Sequence, residues 1–137
     1  MKRCDKTITV FNKRWDAEAG KDVYIPTVIK GVSWFCEIAS VVDSSGLHAA
    51  NRFVVRIPAD ADFGNKMYVD PVVYASETIV SGLFTLGSGD VIVKAELPDS
   101  TLKPAQLHEQ YADCMTILGV TDNSDAPNAP HWKVVGQ

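Results

Sequence analysis

The sequence has no cysteine pair spaced as CxxC, no apolar run long enough to cross a membrane as a helix, and no excess of basic residues. Its three cysteines are far apart and odd in number, which argues against a disulfide framework, and the His and Cys residues show no spacing typical of a zinc site. The net charge of −4 disfavours nucleic acid as the main ligand, because phosphate contacts need clustered Lys and Arg. The first residues, MKRCDKTITV, lack the apolar segment of a secretory signal, which predicts a protein made in the cytoplasm.

Catalytic motifs are also missing: the chain contains no HExxH, no GxSxG and no GxxxxGK[ST]. One pairing could be imagined, with Cys114 as a nucleophile and His108, six residues earlier, as its base. Free cysteines are usually buried, however, and Cys114 extends an apolar helical stripe. We therefore interpret it as structural and expect no enzyme activity, no cofactor and no metal.

The stretch Gly87-Ser88-Gly89-Asp90 invites comparison with a phosphate-binding loop. A dinucleotide fingerprint would need a third glycine at position 92, where Ile92 stands, and a helix rather than an alternating run after it. A turn needs nothing further, because glycine supplies positive φ and aspartate bonds nearby backbone. The pattern predicts a turn that starts a strand.

The acidic stretch Asp60 to Asp70, DADFGNKMYVD, has alternating oxygen ligands at its start, as calcium loops do. An EF-hand requires glycine at its sixth position and glutamate at its twelfth, whereas the chain has Asn65 and Pro71 there. A solvated acidic loop is the favoured interpretation.

Alternation of apolar and polar residues dominates the remainder of the 137-residue chain, of which 46% is hydrophobic. In Lys6–Trp15, Ile8 and Val10 face one way and Thr9 and Phe11 the other. Arg52–Pro58 places Phe53, Val55 and Ile57 on one face, and Val91–Leu97 alternates in the same manner. Residues 43–51 are predicted as a loop by composition, and residues 66–80 as shorter extended pieces broken at Asp70-Pro71. Residues 23–42 favour strand but contain Pro26 and Gly31, which predict two segments or one bent edge strand.

Helical spacing occurs once, where Pro104 suits a first turn and Leu107, Tyr111 and Met115 recur every four residues. We predict a single mainly β domain over residues 1–137: a small antiparallel β-barrel or sandwich with one short α-helix at about residues 103–113. Trp34 is expected in the core, whereas Trp15 and Trp132 could lie in the core or serve as surface anchors.

Several pieces, taken in order, resemble small proteins of the head–tail gene clusters of tailed bacteriophages and prophages. They are ITVFNKRWD, VSWF, NRFVVRIP, YVDP, SGLFTLGSGDVIVKAE and GVTDNSDAP…HWKVVG, and they span about Thr7 to Gly136. The similarity extends to head-closure (stopper) proteins, whose β-barrels carry a comparable GD-V-I strand.

The resemblance implies a virion structural protein of the neck, assembled in the bacterial cytoplasm, that joins the portal–adaptor complex to the tail and retains packaged DNA. Its implied partners are copies of itself in a ring, for which a hexamer is one expected stoichiometry, together with portal or adaptor proteins and tail terminator or tail tube proteins. Double-stranded DNA would pass through without tight binding, and no membrane is implied.

Two predicted loops are candidates for the interface or the channel, since loops concentrate function. Their candidate residues are Asp43, Ser44, Ser45, Gly46, Leu47 and His48 in the first loop, and Asp60, Asp62 and Phe63 in the second.

Three alternative functions stay open. The first is a tail-completion or tail-terminator protein of the same virion. The second is a β-sandwich that binds carbohydrate or another ligand through exposed tryptophans, and the third is a small hydrolase.

Overall fold

The computed structural model describes residues 4–43, 46–98 and 102–137, with residues 37–43 and 46–51 described by their backbone only. The ten elements, in chain order, are β1 (Lys6–Asp16), β2 (Lys21–Asp43), β3 (Gly46–Pro58), β4 (Met67–Tyr68), α1 (Pro71–Ser76), β5 (Leu83–Phe84), β6 (Val91–Val93), α2 (Pro104–Gln110), β7 (Cys114–Asn123) and β8 (His131–Gly136). Neither of these helices is long and apolar enough to span a membrane.

Six strands close into an antiparallel barrel in the order β1-β2-β3-β8-β7-β6, while β4 and β5 form a separate two-stranded parallel pair. The predicted mainly β fold and barrel are therefore confirmed. Closure matters because a barrel removes the open sheet edges through which strands otherwise aggregate.

The long strand β2 is continuous, but it changes partner part-way along its length. Lys21 to Val32 pair with β1, and Ser33 to Asp43 pair with β3. Gly31 lies at this junction with φ +88°, a conformation that favours glycine, so it forms the bend that the sequence predicts. Pro26 pairs with Phe11 on β1 only, and proline is tolerated there because its other side is an edge.

The alternation in the sequence decides which side chains fill the barrel. Ile8, Val10, Phe53, Val55 and Ile57 all belong to the interior cluster and are buried. A second cluster lies outside the barrel wall, where Leu107 of α2 covers Phe11, Val91, Val93 and Cys114. The predicted helix thus packs against the outer faces of β1, β6 and β7.

The predicted turn at Gly87–Asp90 is confirmed. The Asp90 N–H donates to the Gly87 carbonyl over 3.1 Å, and Gly89 has φ +93°. Strand β6 starts directly afterwards at Val91.

Three predictions about local structure are wrong. The predicted loop over 43–51 is mostly strand: Asp43 ends β2, and Gly46, Leu47 and His48 lie in β3, while Ser44 and Ser45 fall outside the described residues. A second helix, α1, occupies a segment for which the sequence predicts extended structure. The third is the placement of Cys114 and Met115 on the helical stripe: the helix predicted at about residues 103–113 is present, but it ends at Gln110, and both residues belong to β7.

Candidate interaction surfaces

The nucleophile–base pair of Cys114 and His108 does not form. Cys114 is buried, and this burial raises the pKa of its thiol to about 11, which disfavours the reactive thiolate. The Nε2 atom of His108 lies 2.8 Å from the Thr116 hydroxyl oxygen. Cys114 therefore serves packing, as predicted, although it lies on a strand. Among the described residues, no three His, Cys, Asp or Glu side chains are grouped as metal ligands would be.

The three tryptophans lie in different environments. Trp132 is buried in the barrel, and Trp34 packs against the core with its ring centroid 5.1 Å from that of Phe53. Trp15 is 62% exposed on the last part of β1. A sugar-binding platform of coplanar tryptophans is therefore not formed.

The second candidate loop, around Asp60, Asp62 and Phe63, is fixed to the barrel. Backbone hydrogen bonds of 2.9 and 3.0 Å join Asp62 to Lys30 of β2, and the Asp62 carboxylate accepts from the Gly64 N–H over 3.0 Å. Phe63 is half-buried, with its ring centroid 5.1 Å from that of Phe84, whereas Asp60 and Asp62 are exposed. These contacts attach the loop to the barrel at Asp62 and Phe63.

The first candidate segment forms a two-stranded ribbon, which we define as residues 37–43 and 46–52. Seven residue pairs, from Glu37↔Arg52 to Asp43↔Gly46, continue the β2–β3 ladder beyond the barrel. The pairing of β8 with β3 stops at Phe53, and within the described chain no other strand pairs with the ribbon. At the usual rise per residue the ribbon projects roughly 20 Å.

The outer face of strands β2, β3, β8 and β7 carries an apolar row at the base of the ribbon. Phe35 lies opposite Val54, and Val54 lies opposite Val135. Leu118 is the bulge residue of β7 next to Val135. Phe35 and Leu118 are 53% and 56% exposed, so the row presents two large apolar side chains to solvent.

A basic row runs beside the apolar row on the same face. Arg56 of β3 lies directly opposite Lys133 of β8, with Ser33 and Thr121 completing the row on β2 and β7. Like charges directly opposite each other on a sheet destabilise it. We call the two rows together the basic wall, comprising Phe35, Val54, Arg56, Leu118, Lys133 and Val135.

A different surface lies where α1 meets the β1–β2 turn. An open groove of about 570 Å³ is lined there by Trp15, Val23 and Ile25, with carboxylates at its rim. We call it the acidic groove, and its rim carboxylates are Asp16, Glu18 and Glu77.

Arg14 fixes the position of α1, which forms one side of the acidic groove. Its guanidinium donates to the Tyr74 carbonyl over 2.6 Å and to the Glu77 carbonyl, both at the end of α1. It also lies 5.8 Å from the centroid of the Tyr74 ring. A cation at the carboxyl end of a helix satisfies carbonyls that have no partner within the helix.

Replacing Arg14 with lysine is expected to loosen α1, because a single ammonium cannot reproduce the two-pronged contact. We expect a loss of about 1–2 kcal/mol in the local stability of α1, measured by hydrogen exchange of amides 72–77. Lys13→Ala is the control, since the side chain of the neighbouring Lys13 is exposed and its ammonium lies 3.6 Å from the Asp22 carboxylate at the surface. Equal exchange in both variants would contradict the role given to Arg14.

Comparison with known proteins gives one match. No curated protein and no solved structure matches the chain. A family model does match it, over residues 3–137. The chain therefore belongs to the family of unknown function DUF6751.

Proposed function

We propose that the protein is a structural component of a phage neck, a head-closure subunit that forms a ring between the portal–adaptor complex and the tail and retains packaged DNA. The observation that carries this proposal is the projecting ribbon. A two-stranded ribbon is marginally stable in water by itself, so seven pairs beyond the barrel call for a neighbour to cover them.

The closed barrel supports the same proposal. Its six strands pair in a closed order, and the ribbon and the exposed apolar surfaces are the places where we expect copies to meet. A net charge of −4 suits a ring that lets DNA pass, because like charges limit tight binding.

Electron microscopy of the protein mixed with portal–adaptor complexes tests the proposal. We expect an added ring of density at the tail-facing end of the complex. Binding to tail tubes or tail terminators alone would instead support the alternative of a tail-completion protein. Binding to neither would contradict a neck function.

Shortening the ribbon gives a second test. Replacing residues 38–51 with Asn-Gly closes a two-residue turn between Glu37 and Arg52 and leaves the barrel pairs intact. We expect this variant to keep the thermal stability of the barrel and to lose incorporation into the ring.

A graded variant serves as the control. Replacing residues 40–49 with Asn-Gly closes the turn between Ala39 and Ala50 and removes part of the ribbon. Incorporation is measured as subunits bound per portal complex. It should fall as the ribbon is shortened, so the variant that keeps part of the ribbon should bind more subunits than the variant that has none. Full incorporation of the variant that lacks residues 38–51 would show that the ribbon is not needed for ring assembly.

A further inference from the structure

We infer that the basic wall of one copy docks on the acidic groove of the next copy, so that the chain associates head to tail. This inference rests on the proposed function in one respect, since a ring needs contacts that are not self-complementary. It goes further by naming the two surfaces that meet.

Charge complementarity is the first argument. The basic wall carries Arg56 and Lys133 in a chain whose net charge is −4, and the rows that compose it contain no acidic residue. The groove lining holds three carboxylates and one cation, Arg14, which is turned towards the carbonyl oxygens of α1, while exposed Lys21 lies opposite Asp16 beside the groove. Complementary potentials of this kind select partners and fix their orientation.

The opposed cations supply the second argument. Arg56 and Lys133 are direct cross-strand neighbours, an arrangement that costs stability in the free chain. An anionic partner would relieve this repulsion, and Glu18 and Glu77 are exposed residues on the groove rim. Association with the acidic groove would therefore offset the repulsion between Arg56 and Lys133.

Apolar surface accompanies charge on both sides, which favours a protein partner over DNA. Phe35 and Leu118 are exposed in the wall, and the groove is lined by half-buried Val23 and Ile25 together with Trp15, which is exposed. Phosphate contacts would use the cations alone and leave Phe35 and Leu118 in water. Apolar centres with charged rims are typical of interfaces between proteins.

The two surfaces cannot meet within one chain. Val23 and Ile25 of the groove and Phe35 of the wall lie on the same strand, separated by the bend at Gly31. Ten residues of strand separate Ile25 from Phe35, a contour length of roughly 30 Å at the usual rise. Contact between the surfaces therefore joins different copies, and it continues from copy to copy as a ring if the rotation closes and as a filament if it does not.

A charge-reversal cycle tests the inference. The wall variant carries Arg56→Glu and Lys133→Glu, and the groove variant carries Glu18→Lys and Glu77→Lys. Self-association is measured by analytical ultracentrifugation at low salt, from about 1 μM to about 1 mM protein. Each variant should weaken self-association at least about tenfold, and the variant that combines all four substitutions should recover most of it.

Two controls separate docking from folding and from overall charge. The Arg56→Glu, Lys133→Glu variant keeps two like charges opposite each other, so its thermal unfolding should match that of the original chain. Arg56→Gln with Lys133→Gln provides a milder change and should weaken association less. Lys6→Glu with Lys103→Glu makes the same change in net charge at two exposed positions outside the wall and should leave association unchanged.

Four outcomes would overturn the inference: a chain that stays monomeric over the whole concentration range, a wall variant that associates normally, a combined variant that does not recover, or a wall variant that loses only binding to duplex DNA. If one of these occurs while the protein still docks on portal complexes, the inference fails and the proposed function stands. If the cycle behaves as expected but portal complexes bind nothing, the proposed function alone fails.

Discussion

Alanine in place of Gly136 is expected to lower the free energy of unfolding by at least about 3 kcal/mol. A Cβ atom at this position would lie 2.3 Å from the Thr116 carbonyl oxygen and 2.7 Å from the Met115 Cε atom. The same carbonyl accepts a hydrogen bond from the Gln137 N–H, so moving it disturbs the ladder that joins β8 to β7. Urea denaturation followed by tryptophan fluorescence measures the loss.

Gly119→Ala is the matched control, because Gly119 lies on the neighbouring strand opposite Val135 and an added Cβ there would meet no atom within 4 Å. This substitution should change stability by no more than about 0.5 kcal/mol. If both alanine variants unfold at the same urea concentration, the close approach at Gly136 does not constrain the fold.

The faces of the strands are predictable from sequence because they depend on local alternation. Phe53, Val55 and Ile57 lie inside the barrel, and Ile8 and Val10 lie inside with them. Side chains alternate strictly along a strand, so a few residues suffice to assign both faces. The turn at Gly87–Asp90 is predictable for a similar reason, since glycine and aspartate act on the backbone next to them.

The ribbon and α1 are not predicted from the sequence, for two different reasons. Residues 46–51 contain glycine, histidine and asparagine, which suit loops, and their strand form depends on pairing with a partner segment that local composition does not encode. The sequence does contain a helix-start signal for α1, which is Asp70 followed by Pro71. Asp70 caps the helix, with its carboxylate accepting from the Val72 N–H, and Pro71 lies in the first turn. The Asp-Pro pair resembles a break between extended pieces, although it equally starts a helix.

The candidate surfaces depend on which strands are neighbours. Sequence places Val54 and Arg56 on the outer face of their strand, but Lys133 and Val135 lie about 80 residues further along the chain. Only the order β2-β3-β8-β7 brings these residues into two rows. Long-range pairing of this kind cannot be derived from periodicity alone.

Replacing Asp90 with alanine is expected to cost about 3 kcal/mol or more. The Asp90 carboxylate is buried and accepts three hydrogen bonds, from Asn12 Nδ2 over 2.9 Å, Lys13 N over 3.0 Å and Gly87 N over 3.1 Å. Asn12 also donates to the Thr85 carbonyl over 2.6 Å, so the network joins β1 to the segment before β6. Alanine would leave N–H donors without acceptors inside the protein.

Asp60→Ala provides the control for this substitution, since Asp60 is an exposed aspartate in a surface loop. It should change the free energy of unfolding by no more than about 0.5 kcal/mol at neutral pH. An Asp90→Ala variant as stable as Asp60→Ala would contradict the role given to the buried network.

The same carboxylate should make stability depend on pH. Burial raises the pKa of Asp90 above its ordinary value, although the N–H donors of Lys13, Asn12 and Gly87 lower it in part. A raised folded-state pKa means that the folded chain holds this proton when the unfolded chain has released it. The resulting stabilisation is complete below the unfolded-state pKa and is lost as pH rises through the folded-state pKa. The stability difference between the original chain and Asp90→Ala should therefore narrow as pH rises from about 3.5 to about 7. A difference that widens with pH would mean that the three donors outweigh burial.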